Sequence, residues 1–307
     1  MTLLTVTGCG GASTAIVAPP GVPSGVPCGT VTIAVNPWAG YAANVAVVGY
    51  LLRTELGCTV RTKDLTEADA WAGLAAGTVD VILENWGHDD LRRRYIDQEK
   101  VAVSMGVTGN QGVIGWYVPP WMKAEYPDIT DWRSLNRHAE LFRTDRSGER
   151  GQFLAGDPSF VTNDASLITN LGLDFTVVHA GSEDRLIRAF RRAEAERRPL
   201  IGYFYEPQWL LAEVGLVHVA LPRHRPGCDA DPQKVACDYP AYALDKIARA
   251  AFLRSGSPAV RLIANFRWTN ADQNTVARDL TVNGLTPDEA ARRWLTAHPD
   301  SWRQWLR

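Results

Sequence analysis

Short apolar runs and helical patterns alternate along the first part of the chain. From residue 31 each apolar run is followed by a stretch with helical periodicity, and the alternation stops sharply at Pro119-Pro120. We predict strands at 31–35, 59–65, 79–83, 101–107 and 113–118, helices at 42–56 and 67–76, and a polar helix ending near residue 95. Strands and helices that alternate at these lengths indicate βαβ units and a parallel sheet.

A second region repeats the alternation before the pattern becomes almost purely helical from residue 246 to residue 307. In this region we predict strands at 141–144, 176–179, 200–205 and 217–221, and helices at 164–171 and 183–196. The pattern indicates two α/β modules with a helical tail, and the chain is expected to cross between them near Val118 and Leu221. One lobe then comprises residues 31–118 and 221–307, and the other comprises residues 119–220.

Residues 1–30 are rich in Gly, Pro, Ser, Thr and Ala, a composition that cannot bury a core and that indicates a disordered tether. Val6-Thr7-Gly8-Cys9 resembles a bacterial lipobox, which predicts a lipidated Cys9 as the membrane anchor. The alternative is a disordered N-terminus with an incidental cysteine. Because only eight residues precede Cys9 and none is Lys or Arg, we expect the natural signal to begin upstream of Met1.

Cysteine is present five times, and removing Cys9 leaves four residues that can pair. Cys228 and Cys237 bracket a polar loop, and a disulfide there contributes about 2–3 kcal/mol in the chain-entropy model. Cys28 and Cys58 precede two strands that we expect to be neighbours, so a second disulfide is predicted. No Cys-x-x-Cys spacing supports a zinc site. Two disulfides place the protein outside the cytoplasmic membrane.

The charge balance argues against a nucleic-acid partner. Lys and Arg number 32 against 34 Asp and Glu, a net charge of −2, whereas phosphate binding needs a basic excess. The sequence has no glycine-rich nucleotide loop, no Gly-x-Ser-x-Gly elbow and no His-Glu-x-x-His motif. Neither a metal nor a cofactor is therefore predicted. Glu84, Asp89 and Asp157 are the acid–base candidates for an alternative function, an exported enzyme acting on a small cationic or sugar-like substrate.

Aromatic residues stand where the predicted strands end, the position at which open α/β sheets bind ligands. Trp38 follows the first strand and Trp86 follows the strand at 79–83, both in polar turns, while Tyr205 closes the strand at 200–205. The alternative for any aromatic residue is a core position, which we favour for helical residues such as Trp294. Ring faces attract a quaternary ammonium, which has no N–H to donate, by about 0.5–2 kcal/mol per contact.

Five stretches of the chain resemble the glycine betaine/choline family of ABC-transporter substrate-binding proteins, in the family's order and over essentially all of residues 31–307. They are Val35–Ala39, Leu74–Val81, Gln111–Pro119, Gly202–Leu210 and Ala290–Leu295. The resemblance implies a two-lobed type II periplasmic-binding-protein fold, in which each lobe is a mostly parallel sheet flanked by helices and the lobes close on the ligand.

The resemblance also implies particular site residues. Trp38 and Trp86 match cage aromatics of the first lobe, Tyr205 stands where relatives usually have Trp, and Tyr117 is a further candidate wall. Gly40 and Gln208 depart from the family's usual acidic residue and His. Glu206 is a candidate for supplying negative charge near the ammonium. The candidates for polar contacts from the second lobe are Arg143, Ser147, Asn163 and Asp164.

We therefore expect an extracytoplasmic, lipid-anchored and monomeric receptor. It captures a quaternary ammonium compound and delivers it to an ABC permease. A receptor for another small cationic solute is the nearest alternative.

Overall fold

The computed structural model describes residues 26–307, so Cys9 and residues 1–25 of the predicted tether lie outside the described residues, while its last residues lead into β1 and include Cys28 of a disulfide. The strands form one nine-stranded sheet flanked by helices, and the predicted α/β class is confirmed. The strands are β1 (Thr30–Val35), β2 (Thr59–Asp64), β3 (Val81–Asn85), β4 (Ala102–Val118), β5 (Gly151–Ala155), β6 (Phe175–His179), β7 (Ile201–Glu206), β8 (Val217–Val219) and β9 (Ala241–Arg249).

The longer helices flank the sheet, and short helical turns connect the remaining elements. The α-helices are α1 (Ala39–Thr54), α2 (Glu67–Ala75), α3 (Asp89–Arg92), α4 (Pro120–Glu125), α5 (Leu135–His138), α6 (Asp164–Asn170), α7 (Glu183–Ala195), α8 (Trp209–Val214), α9 (Ala250–Leu253), α10 (Pro258–Asn265), α11 (Asn270–Thr281), α12 (Pro287–Ala297) and α13 (Pro299–Trp302). A π-helical turn spans Arg93–Gln98, and 3₁₀ turns span Trp132–Ser134, Ala139–Phe142 and Arg303–Leu306. Within residues 26–307, no helix combines the length and the apolar composition that crossing a bilayer requires.

The strand order divides the molecule into two lobes. The order is β2-β1-β3-β9-β4-β7-β5-β6, with β8 pairing on β4. β1 pairs in parallel with β2 and β3, and we call the part of the molecule built on these strands lobe 1. β5 pairs in parallel with β6 and β7, which define lobe 2. The antiparallel strands β4 and β9 lie between the two parallel groups and connect them.

β4 is one strand of 17 residues, so the prediction of two separate strands at 101–107 and 113–118 was wrong. It pairs with β9 from Ala102 to Val113 and with β7 from Val113 to Tyr117. The Gly-Asn pair at 109–110 is typical of a turn, but here the positive φ of Gly109 lies within a register shift, not at a reversal of the chain.

Two other predictions of secondary structure were wrong. In one an irregular segment has the apolar pattern of a strand, and in the other polar residues interrupt the pattern of a real strand. The predicted strand at 141–144 is a 3₁₀ turn, and the strand of this region is β5. β9 lies partly inside the predicted helical tail, because Asp245 and Lys246 break its apolar pattern. Both are buried and paired: Asp245 accepts from Arg92 Nη1 at 2.7 Å, and Lys246 Nζ donates to the Ala264 carbonyl at 3.0 Å.

Both predicted disulfides are confirmed. Cys28–Cys58 joins the segments that lead into β1 and β2, with a Cα–Cα distance of 4.9 Å, and Cys228–Cys237 closes the polar loop at 6.3 Å. The second loop packs on lobe 2, because Asn170 Nδ2 at the end of α6 donates to the carbonyl of Val235 at 2.9 Å. The first bridge therefore ties together the starts of two neighbouring strands of lobe 1, and the second closes a loop that packs on α6.

Trp294 on α12 is the centre of an aromatic cluster in the helical tail. Its ring centroid lies 5.4 Å from that of Trp268 and 5.8 Å from that of Trp305, and only 2% of the residue is exposed. We predict that Trp294→Ala lowers the free energy of unfolding by about 3–5 kcal/mol, since it leaves a large cavity. Urea denaturation measures this loss. The exposed neighbour Arg292→Ala is the control, and similar losses for the two variants would contradict the packing role.

Candidate functional site

A cavity of about 580 Å³ lies between the lobes, beyond the carboxyl ends of β3 and β7. This is the position at which open α/β sheets bind ligands. Its walls are mainly aromatic, with contributions from lobe 1, from lobe 2 and from the chain around the start of β9. The aromatic residues that line it are Trp38, Trp86, Phe160, Tyr203, Tyr205, Tyr239 and Tyr242.

Trp38 and Trp86 form the lobe 1 side of the cavity and meet rings from other elements edge to face. Trp38 precedes α1 in an extended conformation, and its ring centroid lies 5.8 Å from that of Phe160. The Trp86 ring lies 5.6 Å from Tyr205 at an interplanar angle of 89° and 5.8 Å from Tyr242 at 62°. Rings set at steep angles to one another present faces and edges on several sides of one space, as an aromatic cage requires.

Glu84, at the end of β3, holds both tryptophans from behind. Its Oε1 accepts from the indole Nε1 of Trp38 at 2.7 Å and from that of Trp86 at 2.9 Å. Its Oε2 accepts from Gln273 Nε2 at 2.8 Å and from Asn44 Nδ2 at 2.5 Å. Only 1% of Glu84 is exposed, so one buried carboxylate sets the orientation of two cage rings.

Burial raises the pKa of Glu84 to about 7, against the four donated hydrogen bonds, which lower it. The amides beside it also accommodate the protonated form. Asn44 Oδ1 and Gln273 Oε1 are buried without a partner, so rotating either amide turns an oxygen toward a carboxylic O–H. A Cβ on Gly40 would lie 2.3 Å from Gln273 Nε2. A side chain at position 40 would therefore displace the amide that donates to Glu84.

On lobe 2, Tyr203 and Tyr205 point to the same side of β7, with ring centroids 6.0 Å apart. The Tyr205 hydroxyl donates to Glu183 at the start of α7. Burial raises the pKa of both phenols well above the ordinary value, so they stay neutral at physiological pH. They therefore offer ring faces without a negative charge of their own.

Asp164 is buried behind Asn163, which lines the cavity. Asp164 Oδ1 accepts from Trp116 Nε1 at 2.8 Å and from the Tyr239 hydroxyl at 2.8 Å, and the Tyr239 oxygen accepts from the Asn163 backbone N–H at 2.7 Å. Burial raises the pKa of Asp164. Asp164 thus fixes the Tyr239 wall in the way that Glu84 fixes the tryptophans.

The rim of the cavity is mostly acidic. Glu67 Oε1 lies 2.6 Å from His88 Nε2, and although burial opposes it, this contact raises the pKa of the imidazole. The charged residues that line the cavity are Glu67, His88, Asp89, Asp90, Arg93 and Asp229. Four carboxylates against one guanidinium and one imidazole still leave the rim acidic, which favours a ligand with positive charge.

Five of the predicted site residues do not line the cavity: Asp164, which lies behind Asn163, and four others. Tyr117 packs against Phe204 and His218, and Glu206 is exposed at the end of β7. Arg143 forms an ion pair with Glu140, and the Ser147 hydroxyl bonds within a turn to Thr144. Their assignment as ligand contacts stays a prediction. Among the enzyme candidates, Asp157 caps a turn through Ser159, and only Asp89 is on the rim.

Several residues that line the cavity were not predicted from the sequence. Tyr203 carried a usable signal, since it alternates with Tyr205 on one strand, but Phe160 lies in an irregular loop. Tyr239 and Tyr242 flank the start of the unpredicted strand β9. Within the described part of the chain, His224, Cys228 and Asp229 bring potential metal ligands within 4.8 Å of one another, but the Cys228 sulfur is in a disulfide.

Two parallel groups of strands are joined by the antiparallel strands β4 and β9, and an aromatic cavity lies between the two lobes. This arrangement defines a two-lobed solute-binding protein. Residues 29–297 match the family described as the substrate-binding domain of ABC-type glycine betaine transport systems, and the chain belongs to this family. The family predicted from the sequence is confirmed.

Solved structures share the fold at 20% sequence identity. Lactococcal OpuAC, in its closed-liganded conformation with glycine betaine, has a TM-score of 0.71 over 91% of this chain and 99% of its own. An ABC-transporter choline-binding protein in complex with choline has a TM-score of 0.74 over 91% of this chain and 92% of its own. The two-lobed fold is confirmed.

Curated relatives match over part of their length. The trimethylamine N-oxide-binding protein of Pelagibacter ubique is 28% identical over 193 residues, 60% of this chain and 61% of that protein. The glycine betaine/carnitine transport binding protein of Listeria monocytogenes is 23% identical over 128 residues, 42% of this chain and 38% of that protein. The chain therefore spans less than two thirds of each.

The buried carboxylate of Glu84 generates a prediction about pH. Since its pKa is raised to about 7, its contribution to stability is full below pH about 4.5 and is lost as the pH rises through 7. Glu84→Gln keeps the shape but cannot ionise. We expect the free energy of unfolding of the variant to gain on that of the wild type between pH 5 and 8, by up to about 3 kcal/mol. Urea denaturation across this range measures the difference.

The control is Glu55→Gln, an exposed glutamate of lobe 1 just after α1. Its difference from the wild type should stay small at every pH. A constant gap for Glu84→Gln over the same range would show that Glu84 does not titrate there.

Proposed function

We propose that this chain is the extracytoplasmic solute receptor of an ABC importer and that it captures a quaternary ammonium compound between its lobes. The observation that carries the proposal is the cavity between lobes 1 and 2, walled by Trp38, Trp86, Tyr205 and four further rings. The family to which the chain belongs supports the transport role.

An aromatic cavity suits this ligand class for a physical reason. A quaternary ammonium is positively charged but has no N–H, so it loses little when ring faces replace water, and each ring contributes about 0.5–2 kcal/mol. A primary ammonium would give up hydrogen bonds to water without replacement. Glu84 adds a buried carboxylate behind two of the rings, and the acidic rim adds attraction at longer range.

The ligands named for similar proteins share one chemical group. Trimethylamine N-oxide, glycine betaine, carnitine and choline each carry a methylated nitrogen with a formal positive charge. The common group is the part that an aromatic cage recognises, and the remainder of each molecule differs. The proposal for this chain therefore specifies the methylated ammonium and leaves the rest of the ligand to the binding experiment.

Binding is proposed to work by closure of the lobes. β4 and β9 connect the two parallel groups of strands, so bending within them would open and close the cavity. A ligand that contacts both lobes stabilises the closed arrangement. The predicted division of the chain at 118 and 221 stays a prediction.

The proposal includes an ABC permease as the partner and a monomeric receptor tethered through lipidated Cys9. Two disulfides within residues 26–307 support an oxidising compartment outside the cytoplasm, since disulfides persist there.

Isothermal titration calorimetry tests the ligand class. We expect binding of at least one of glycine betaine, choline, carnitine, proline betaine and trimethylated histidine, and at least tenfold weaker binding of its unmethylated counterpart. Ethanolamine is the matched control for choline, because it keeps the hydroxyl and lacks the methyl groups. Binding of ethanolamine without binding of any methylated compound would overturn the proposal, and turnover of a ligand would favour the exported enzyme.

Substitutions of the cage test the position of the site. Trp38→Ala and Trp86→Ala should each weaken binding of the best ligand about tenfold or more, since each removes a ring face. Trp294→Ala is the matched control, a buried tryptophan outside the cavity, and its folded fraction should bind with unchanged affinity. Unchanged affinity in both cage variants would place the site elsewhere.

A further inference from the structure

Glu183 is the first residue of α7 in lobe 2 and is 7% exposed. The N-terminus of its own helix is already capped, since Ser182 Oγ accepts from the Arg185 N–H at 3.2 Å. The Glu183 carboxylate is therefore available to accept hydrogen bonds from groups outside α7.

Those partners come from both lobes. Glu183 Oε2 accepts from the backbone N–H of Ala39 in lobe 1 at 2.8 Å. Its Oε1 accepts from Gln208 Nε2 at 3.0 Å and from the Tyr205 hydroxyl, both in lobe 2. One buried carboxylate thus connects a cage residue of lobe 2 with the backbone of lobe 1.

The lobe 1 partner occupies a special position. Ala39 is the first residue of α1, a helix of 16 residues whose N-cap residue, Trp38, makes no side-chain capping bond. The unsatisfied N–H groups and the partial positive charge of a helix N-terminus favour an anion. Here the anion comes from the opposite lobe and binds one residue after a cage tryptophan.

The lobes approach each other closely at the same point. A Cβ built on Gly40 would lie 3.6 Å from the carbonyl oxygen of Pro207, an ordinary van der Waals distance, so the start of α1 leaves room for little more than one carbon atom between itself and the lobe 2 backbone. Glu183 can reach the Ala39 N–H only while this approach is maintained.

We propose that Glu183 is a positioning residue that latches the two lobes in the closed arrangement and aligns Trp38 with Tyr205. The latch rests on the proposed function for its biological role, but its physical effect requires no ligand. When the lobes separate, the Ala39 N–H loses its acceptor and Glu183 becomes hydrated. The apparent affinity for a ligand equals its affinity for the closed form multiplied by the closed fraction, so Glu183 raises affinity without touching the ligand.

Small-angle X-ray scattering of the ligand-free protein tests the latch directly. Glu183→Ala should increase the radius of gyration relative to the wild type, because the open arrangement gains population, and Glu183→Gln should give a smaller increase, since its amide oxygen still accepts one N–H. Asp184→Asn is the matched control. Asp184 is the next residue of α7, and its exposed side chain pairs with Arg188 of the same helix.

Calorimetry with glycine betaine and choline gives the second measurement. We expect Glu183→Ala to weaken binding about tenfold and Asp184→Asn to leave it unchanged. A role confined to the stability of lobe 2 would lower the melting temperature of Glu183→Ala without changing its radius of gyration, and that result would overturn the latch. If the wild type binds neither compound nor any other methylated ammonium, the proposed function fails, while the scattering comparison still decides whether Glu183 holds the lobes together.

Discussion

The site depends on one hydrogen-bonding arrangement, the acceptance of two indole N–H groups by a single oxygen of Glu84. Trp38 precedes a helix and Trp86 follows a strand, so neither element alone would direct the two rings at one space. A buried tryptophan needs an acceptor for its N–H, and a buried carboxylate needs donors. Each group satisfies the other, and the rings are fixed while their faces remain available to the cavity.

The same arrangement, a buried carboxylate that accepts hydrogen bonds from aromatic side chains, occurs twice in lobe 2. Asp164 receives hydrogen bonds from Trp116 and Tyr239, and Glu183 receives them from Tyr205 and from the start of α1. Three buried carboxylates therefore lie behind the cavity, each paired with aromatic donors. Burying a charge is costly unless it is hydrogen-bonded, so these carboxylates are compatible with a stable fold because aromatic N–H and O–H groups, together with side-chain amides and the start of α1, supply the donors.

The sequence predicts the site as far as regular alternation extends. Trp38 and Trp86 were found because the carboxyl ends of the parallel strands β1 and β3 meet at one edge, Tyr205 was found because it closes β7 of the other parallel group, and all three line the cavity. Tyr239 and Tyr242 were missed because β9 carries Asp245 and Lys246, whose burial depends on partners that are distant in sequence. The Glu84 hydrogen bonds could not be predicted either, since Asn44 and Gln273 approach it only in the folded chain.

The acceptor shared by Trp38 and Trp86 has a consequence for how such a site can diverge. Replacing either indole by a ring without an N–H leaves the other tryptophan in place but deprives the same oxygen of a donor. The first substitution therefore changes the effect of the second on the site, so we expect the residues at positions 38 and 86 to change together. New specificity is more accessible through Phe160 or Tyr242, which line the cavity without bonding to Glu84.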